Sequence, residues 1–502
     1  MSLAGGIGYS QVMPDSRPIF SDLIHGHTVD ERKSAGRAAR SVLPRSKLGK
    51  YSPADDRRDP IQILAEQEVN RVEALVPLRH ERMSVNPFAF LRGAAAVMAA
   101  DLGSRPHTGL HVQLCGDAHM SNLGIFAGPD RSLVFDINDF DETAPGPFEW
   151  DVFRLATSFQ VAALEKGHSP KIAGSLPGIV ATAYRDAMAR FATMTYLDIW
   201  YYRIDSELLR NWAERTDQPS AVKRLNKTEA SARARDRWSA VRKLTQIVDG
   251  TRKFLHEPPL LASLGVEGEP GLVVKRMFNE YKDSLQIDRR ELLHRYQIVD
   301  VGHKVVGVGS VGLLAFVLLL EGRDSEDVLV LQVKEAVDSV LTQFTGLPTE
   351  APFGKRVVTG QQLMQASSDA FLGWVVGPRG RSYYVRQLRD MKWSPDPLNM
   401  SVEDYQTYAA LCGTTLARAH ARAGDPVAIS AYIGTSDTFA RSVTEFADSY
   451  VAQNARDYAA FTSAIAAGEI SVMDDDLELS LTVDPEGYVL IQSRNRDSQT
   501  SA

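Results

Sequence analysis

Two stretches decide how this chain is read: CGDAHMSNLG, from Cys115 to Gly124, and VFDINDFDE, from Val134 to Glu142. Leu110, Val112 and Leu114 alternate with polar residues and stop at Gly116, while Leu133-Val134-Phe135 stops at Asp136. Each pattern predicts a short strand whose end carries an acid, at the kind of loop start where reactive groups collect. Asp117, Asn122, Asp136, Asp139 and Asp141 would repel one another if brought together without a cation. Carboxylate and amide oxygens suit hard Mg²⁺, so Asn122, Asp136 and Asp139 are the expected metal ligands. The competing explanation is a set of loop-capping aspartates bonded to local amides, in which Asp141 would be structural.

Further along, Gly307-Val308-Gly309-Ser310-Val311-Gly312 is a glycine loop. A dinucleotide-binding fold would follow it with a helix. Here it runs into LLAFVLLL, then the turn EGRDSED and a third apolar run ending in Lys334, which predicts strand, turn and strand. A glycine loop between two antiparallel strands resembles the loop with which kinases cover ATP phosphates, which implies that Gly307, Gly309, Ser310 and Gly312, with the Lys334 ammonium, would bind phosphate. A carboxylate partner for Lys334 is not evident. Glu335 faces the other way, and the helix expected around Gly360 to Gln365 offers Gln361 and Gln362 but no acid.

The spacing resembles that of protein and small-molecule kinases. They use an Asp to accept the substrate proton, an Asn five residues on to hold metal, and a later Asp to bridge metal and ATP phosphates. Asp117, Asn122 and Asp136 follow that order, with Asp117, His119 and Asn122 as the catalytic loop. FDINDFDETAPGPFEWDVFRLA is similar to the corresponding text of aminoglycoside phosphotransferases, which implies that Asp151 anchors the catalytic loop. His119 has a counterpart there, and its ordinary role would be to keep the loop's shape.

The order of parts is inverted, however: the catalytic loop precedes the glycine loop by about 190 residues. The amphipathic helix Asp404 to Ala421, which resembles the helix that leads into a kinase catalytic loop, lies near the C-terminus. Circular permutation explains this, and it is tolerated where termini lie close together on a surface. The expected fold is therefore α+β, two-lobed and protein-kinase-like, circularly permuted, with an N-terminal helical extension. Residues 1–60 would be an irregular basic arm, and 61–270 a helical segment with the catalytic loop. Residues 271–395 would form a small β-rich nucleotide lobe, and 396–502 the remaining helices and tail.

Composition agrees with a globular protein: 502 residues, 44% hydrophobic and 24% charged. A net charge of -7 argues against a dedicated nucleic-acid binder. Two cysteines, Cys115 and Cys412, predict no disulfide framework, and no secretory leader or membrane span is visible, so a cytoplasmic setting is expected. Arg32 to Lys50 is a basic run, either a solvated face or a clamp for phosphate or an acidic partner. Tyr196, Trp200, Tyr201 and Trp212 have the spacing of core aromatics, and the tail from Ser493 has the composition of a disordered segment.

RMSVNPFAFLRGAA, VQLCGDAHMSNLG, FDINDFDET, VVGVGSVG, LQVKEA, LMQASSDAFLGW, YYVRQLRDMK and LARAHARAGD together resemble one bacterial family, domain of unknown function 2252, from about Arg82 to Ser449. Thr359 stands where relatives are expected to carry an acid. Arg82, Arg92, Arg386 and Arg389 are candidate phosphate or substrate contacts. The expected activity is phosphoryl transfer from ATP, with Mg²⁺, to an unidentified hydroxyl acceptor, a small molecule or a protein. The alternatives are a metal-dependent phosphoesterase using Asp117, His119, Asp136 and Asp139, a nucleotide-binding pseudokinase, or a nucleotidyl transferase.

Overall fold

The computed structural model describes residue 24 and residues 26–495, apart from 216–218, 235–236, 259, 306, 389–390, 474–476 and 484–488. It is a mixed α/β chain, 53% helix and 16% strand, whose sheets are small. Near the N-terminus four short strands form two antiparallel pairs. β1 (His111–Leu114) pairs with β4 (Ala144–Pro147), and β2 (Leu123–Ala127) pairs with β3 (Leu133–Ile137). β5 (Thr245–Val248) and β6 (Thr251–Phe254) make a separate hairpin.

A six-stranded antiparallel sheet holds β7 (Leu261–Ser263), β8 (Gln297–Lys304), β9 (Ala315–Glu321), β10 (Val328–Ala336), β11 (Gly373–Val376) and β12 (Ser382–Gln387). Its order is β11-β12-β10-β9-β8-β7. The glycine loop joins β8 to β9, and Lys334 lies on β10 opposite Ala315 and Tyr384. LLAFVLLL is apolar throughout because both faces of this sheet are covered. Leu318, Leu320, Leu329, Leu331 and Val333 pack on Phe278 and Tyr281, while Val317, Leu319, Val328 and Val330 pack on Val241 and Phe254.

The largest core lies among helices. Phe148–Glu165, Pro170–Phe191, Val402–Arg422 and Thr438–Ala466 pack together, and the β1–β4 segment rests on them. Val402–Arg422 starts at a capping box, in which Ser401 and Asp404 satisfy each other's amides, a device worth about 1 kcal/mol. The run Gly93 to Ala99 is buried, with Ala100 partly so.

Three expectations are corrected. The basic arm is not irregular throughout: Val29–Val42 is a helix capped by Thr28 and Glu31, packed against Pro426–Ile433. Three of its cations are used internally, while Lys33, Arg37, Lys47 and Lys50 are exposed. Arg32 pairs with Asp425, Arg40 donates to the Tyr432 and Ala431 carbonyls, and Arg45 donates to the Ile433 carbonyl. Arg32, Arg40 and Arg45 thus form a clasp on the helix Pro426–Ile433; residues 1–23 lie outside the described residues. Tyr196, Trp200 and Tyr201 are exposed rather than core, with Trp200 stacked on Arg422 at 3.8 Å, while the Trp212 side chain lies outside the described residues. Of the tail, Ser493 to Asn495 belong to the strand Val489–Asn495, paired with Leu477–Val483, and 496–502 lie outside the described residues.

Glu149, in the first turn of Phe148–Glu165, is 1% exposed and accepts from the Thr108 amide and hydroxyl at 2.7 and 2.8 Å. Burial pushes its carboxyl up to about 7, against the pull of those hydrogen bonds. A folded state that holds its proton longer than the unfolded chain loses stability as pH rises between the two pKa values, here from about 4.5 to about 7. Glu149→Gln keeps the backbone contact at Oε1 and reverses the hydroxyl contact, its Nε2 donating to Thr108 Oγ1, without the charge. Urea melts at pH 5 and pH 8 are expected to show a smaller loss in the variant than in the wild type, by about 3 kcal/mol at most. Equal losses would refute the assignment.

Candidate functional site

β1 ends at Leu114, and the chain turns at Gly116 with φ of +85°. A Cβ there would lie 2.0 Å from the Glu142 carbonyl, so only glycine allows the two acidic stretches to approach. Asp151 lies beneath the turn, as expected. Its carboxylate accepts from the Cys115 and Gly116 amides at 2.8 and 3.1 Å and meets His420 Nε2 at 3.2 Å. Asn122 then donates from Nδ2 to the Asp117 carbonyl at 2.9 Å, which leaves Oδ1 as its remaining acceptor.

The loop opens on a pocket of 190 Å³. Asp117, His119, Asn122, Asp139, Asp141 and Glu142 line one side, and Gly307, Val308, Gly309 and Ser310 line the other. Residues some 190 positions apart in sequence thus share one cavity. Gly312 closes the far end of the glycine loop, with φ of +93° and the Arg71 side chain against its α-carbon. Arg82 donates to the Gly307 carbonyl at 2.5 Å, Arg71 donates to the Val311 carbonyl, and Val72 N–H donates to the Gly312 carbonyl at 2.7 Å. The loop is therefore held from the helical side of the molecule.

Asp117 is gripped by Arg154, whose Nε donates to Oδ1 at 2.5 Å. Burial holds its carboxyl above the usual value, against the attraction of Arg154 and Arg92. His119 Nε2 is 3.7 Å from Asp117 Oδ2, and burial keeps the imidazole neutral by pushing its pKa well down. Its ring packs edge-on to Phe88, and the residue lines the pocket. Arg92 also lines the pocket, and its Nε has no partner among the described residues.

Asp136 requires correction. It lies in β3 opposite Gly124, is 1% exposed, and pairs with Arg418 of the helix Val402–Arg422. Its other oxygen accepts the Ala366 amide at 2.9 Å. With Arg418 and backbone amides around it, Asp136 does not line the pocket, whereas Asp139, Asp141 and Glu142 of the same segment do.

Lys334 is 4% exposed and donates to Asp141 Oδ2, with Asp139 Oδ2 4.0 Å away. Asp141 also accepts from Ser310 Oγ at 3.0 Å and Tyr384 Oη at 2.6 Å. Burial alone would lower the Lys334 pKa, but Asp139 and Asp141 hold it above its ordinary value; Asp141 is in turn held below the carboxylate range. The partner sought on the helix around Gly360 is thus Asp141. The helix Phe353–Met364 instead contributes Arg356, which donates to the Asp141, Thr143 and Val337 carbonyls and fixes the loop's backbone. Glu335 points away, pairing with Arg381, as expected.

Sequence reasoning missed Arg71, Arg154, Arg356 and the role of Asp141. Only Arg154 had a local signal, one helical turn after Asp151 and so on the same helix face. Arg386 donates to Gln332 Oε1 and to the Asn138 carbonyl, outside the pocket; Arg389 lies outside the described residues.

No three His, Cys, Asp or Glu side chains among the described residues converge as a metal cluster. The donor set still suits one kind of ion. Asp139 Oδ2 and Asn122 Oδ1 are oxygen donors on one cavity wall, and Mg²⁺ is commonly held by one or two such groups with substrate phosphates supplying the rest.

A family model described as "Uncharacterized protein conserved in bacteria (DUF2252)" matches residues 71–464. No curated protein and no solved structure matches the chain. No helix among the described residues is long and apolar enough to cross a membrane.

Proposed function

This chain belongs to the bacterial family of domain of unknown function 2252, and we propose that it is an ATP- and Mg²⁺-dependent phosphotransferase on a two-lobed, circularly permuted kinase-like fold. The observation that carries this is the shared pocket of Gly307, Gly309 and Ser310 with Asp117, Asn122 and Asp139. The succession of parts supports it. Strand, glycine loop, strand, lysine strand, helix and two further strands lead into the long helix Val402–Arg422. That is the order of a kinase small lobe and its first large-lobe helix, with the catalytic segment displaced to the front.

In this scheme Asp117 accepts the proton of the acceptor hydroxyl. Its raised pKa suits a base, and Arg154 fixes its orientation. The loop amides and Lys334 bind and orient the phosphates, which is the larger part of catalysis in phosphoryl transfer. Asn122 and Asp139 would hold Mg²⁺, which supplies charge neutralisation on the phosphate oxygens. Asp141 takes the part that a helix Glu plays elsewhere, keeping Lys334 charged and in place. That favours an active enzyme over a pseudokinase. A phosphoesterase is less well supported, because Asp136 is taken up by Arg418.

ATP titrated calorimetrically into wild type is expected to bind at least about tenfold more tightly with Mg²⁺ than without, and about 100-fold more weakly to Lys334→Met. Absence of binding to the wild type at any Mg²⁺ concentration would remove this function.

A further inference from the structure

The arginines around the glycine-loop pocket hold the fold together, with one exception. Arg71, Arg82 and Arg356 donate to backbone carbonyls, and Arg154 donates to the Leu91 carbonyl and to Asp117. Arg92 lines the same pocket, yet among the described residues its guanidinium neither donates a hydrogen bond nor closes an ion pair. The guanidinium carbon lies 6.0 Å from the centre of the Phe88 ring, which also meets His119. Burial lowers the Arg92 pKa, and the carboxylates of Asp117 and Asp139 act against that.

The backbone that carries Arg92 is fixed on both sides. Arg92 is in the last turn of the helix Pro87–Gly93. The carbonyl before it, of Leu91, accepts from Arg154 Nη2 at 2.9 Å, and the one after it, of Gly93, accepts from Arg79 Nη2 at 2.9 Å. Gly93 packs on Met83, whose side chain a Cβ would meet at 2.5 Å. The glycine loop reaches this turn as well, since a Cβ at Gly309 would lie 3.5 Å from the Arg92 carbonyl. Through Arg154, one buried link joins Asp117 to the turn that presents Arg92. A guanidinium anchored at its root and unbonded at its tip is preorganised for an anion, and its planar fork matches phosphate oxygens.

We infer that Arg92 is a further catalytic residue, which donates to the oxygens of the phosphoryl group as it is transferred. The inference rests on the transferase function proposed above. In that reaction the acceptor oxygen bonds the γ-phosphorus while the bond to the bridging β-phosphate oxygen breaks. The electron pair leaves with ADP, and the hydroxyl proton passes to Asp117. The phosphoryl group therefore lies between the proton acceptor Asp117 and the metal ligand Asp139, and Arg92 is attracted by both of these acids. Charge on the phosphoryl oxygens faces Asp117, Asp139 and Asp141 in one pocket, so a cation there lowers the barrier to transfer. The two acids keep Arg92 in place beforehand, and no hydrogen bond to the described residues has to break for it to turn to phosphate.

The test is calorimetric titration of the full chain with two Mg²⁺ complexes. One is the β,γ-imido analogue of ATP, which resembles bound substrate; the other is ADP with aluminium fluoride, which resembles the phosphoryl group during transfer. Wild type is expected to bind ADP at least about tenfold more tightly when aluminium fluoride is present. Arg92→Gln is expected to bind the imido analogue within about threefold of wild type, and the fluoroaluminate complex about 100-fold more weakly. Arg92→Lys keeps the charge without the fork and is expected to recover only part of that loss. Both variants are expected to melt within a few degrees of wild type, and Arg92→Lys carries the comparison should Arg92→Gln not fold. The inference is overturned if Arg92→Gln binds the fluoroaluminate complex like wild type, or if it weakens both complexes equally. It is also overturned if wild type binds nucleotide but gains nothing from aluminium fluoride. A wild type that binds neither complex removes the transferase function itself, and this inference with it.

Discussion

Asp139→Asn is expected to remove Mg²⁺-dependent ATP binding by at least about 100-fold, while the protein melts within a few degrees of wild type. Asp136→Asn is expected to do the opposite. Asp139 faces the pocket with Asn122, and its side chain is 32% exposed. Its hydrogen bond to the Asp141 amide, at 3.2 Å, survives conversion to the neutral amide. The substitution takes away negative charge where a cation would sit, and of the two acids that hold Lys334 it leaves Asp141 in place. Asp136 has no line to the pocket, so its neutralisation weakens the buried pair with Arg418 and lowers stability. Calorimetry and thermal melts on both variants separate the two acids. If Asp136→Asn lost Mg²⁺-dependent binding with an unchanged melt, the roles of the two acids would be reversed.

Arg418→Met should destabilise the fold by about 3–5 kcal/mol, the cost of leaving a buried charge without its partner. Arg418 is 1% exposed, donates to Asp136 and also bonds the Met364 carbonyl at 2.5 Å. It therefore ties β3, the end of Phe353–Met364 and the long helix Val402–Arg422 into one unit. A thioether of similar length fills the space but leaves the Asp136 carboxylate with backbone amides alone. The double variant Asp136→Asn with Arg418→Met is expected to be more stable than Arg418→Met, because the unpaired charge is gone. Urea unfolding at pH 7 reads all three. An Arg418→Met midpoint equal to wild type would show that the pair carries no net stability.

Both predictions turn on a distinction that spacing alone got wrong. Counting from Asn122 favours Asp136 as the later acid, because it ends an apolar run. The β2–β3 register places Asp136 opposite Gly124 and inside the strand, which continues to Ile137. Asp139 then follows the strand, where the chain is free to turn toward the glycine loop. The partner of Lys334 was hidden for a similar reason. Asp141 lies 193 positions upstream, and no periodicity links it to β10.

What the sequence determined by itself were the local patterns. These include the acids at strand ends, the glycine loop between strands rather than before a helix, both covered faces of β9 and β10, and the capped helix Val402–Arg422. All depend on backbone preference and side-chain period, which act over a few residues. Tertiary structure alone decided how charges were paired: Asp136 with Arg418, Asp141 with Lys334, and Arg32 with Asp425. A carboxylate is chemically the same wherever it stands in the chain. Whether it binds a ligand or closes a buried ion pair depends on which distant element folding brings beside it, because the energy of a charge is set by its surroundings rather than its sequence neighbours.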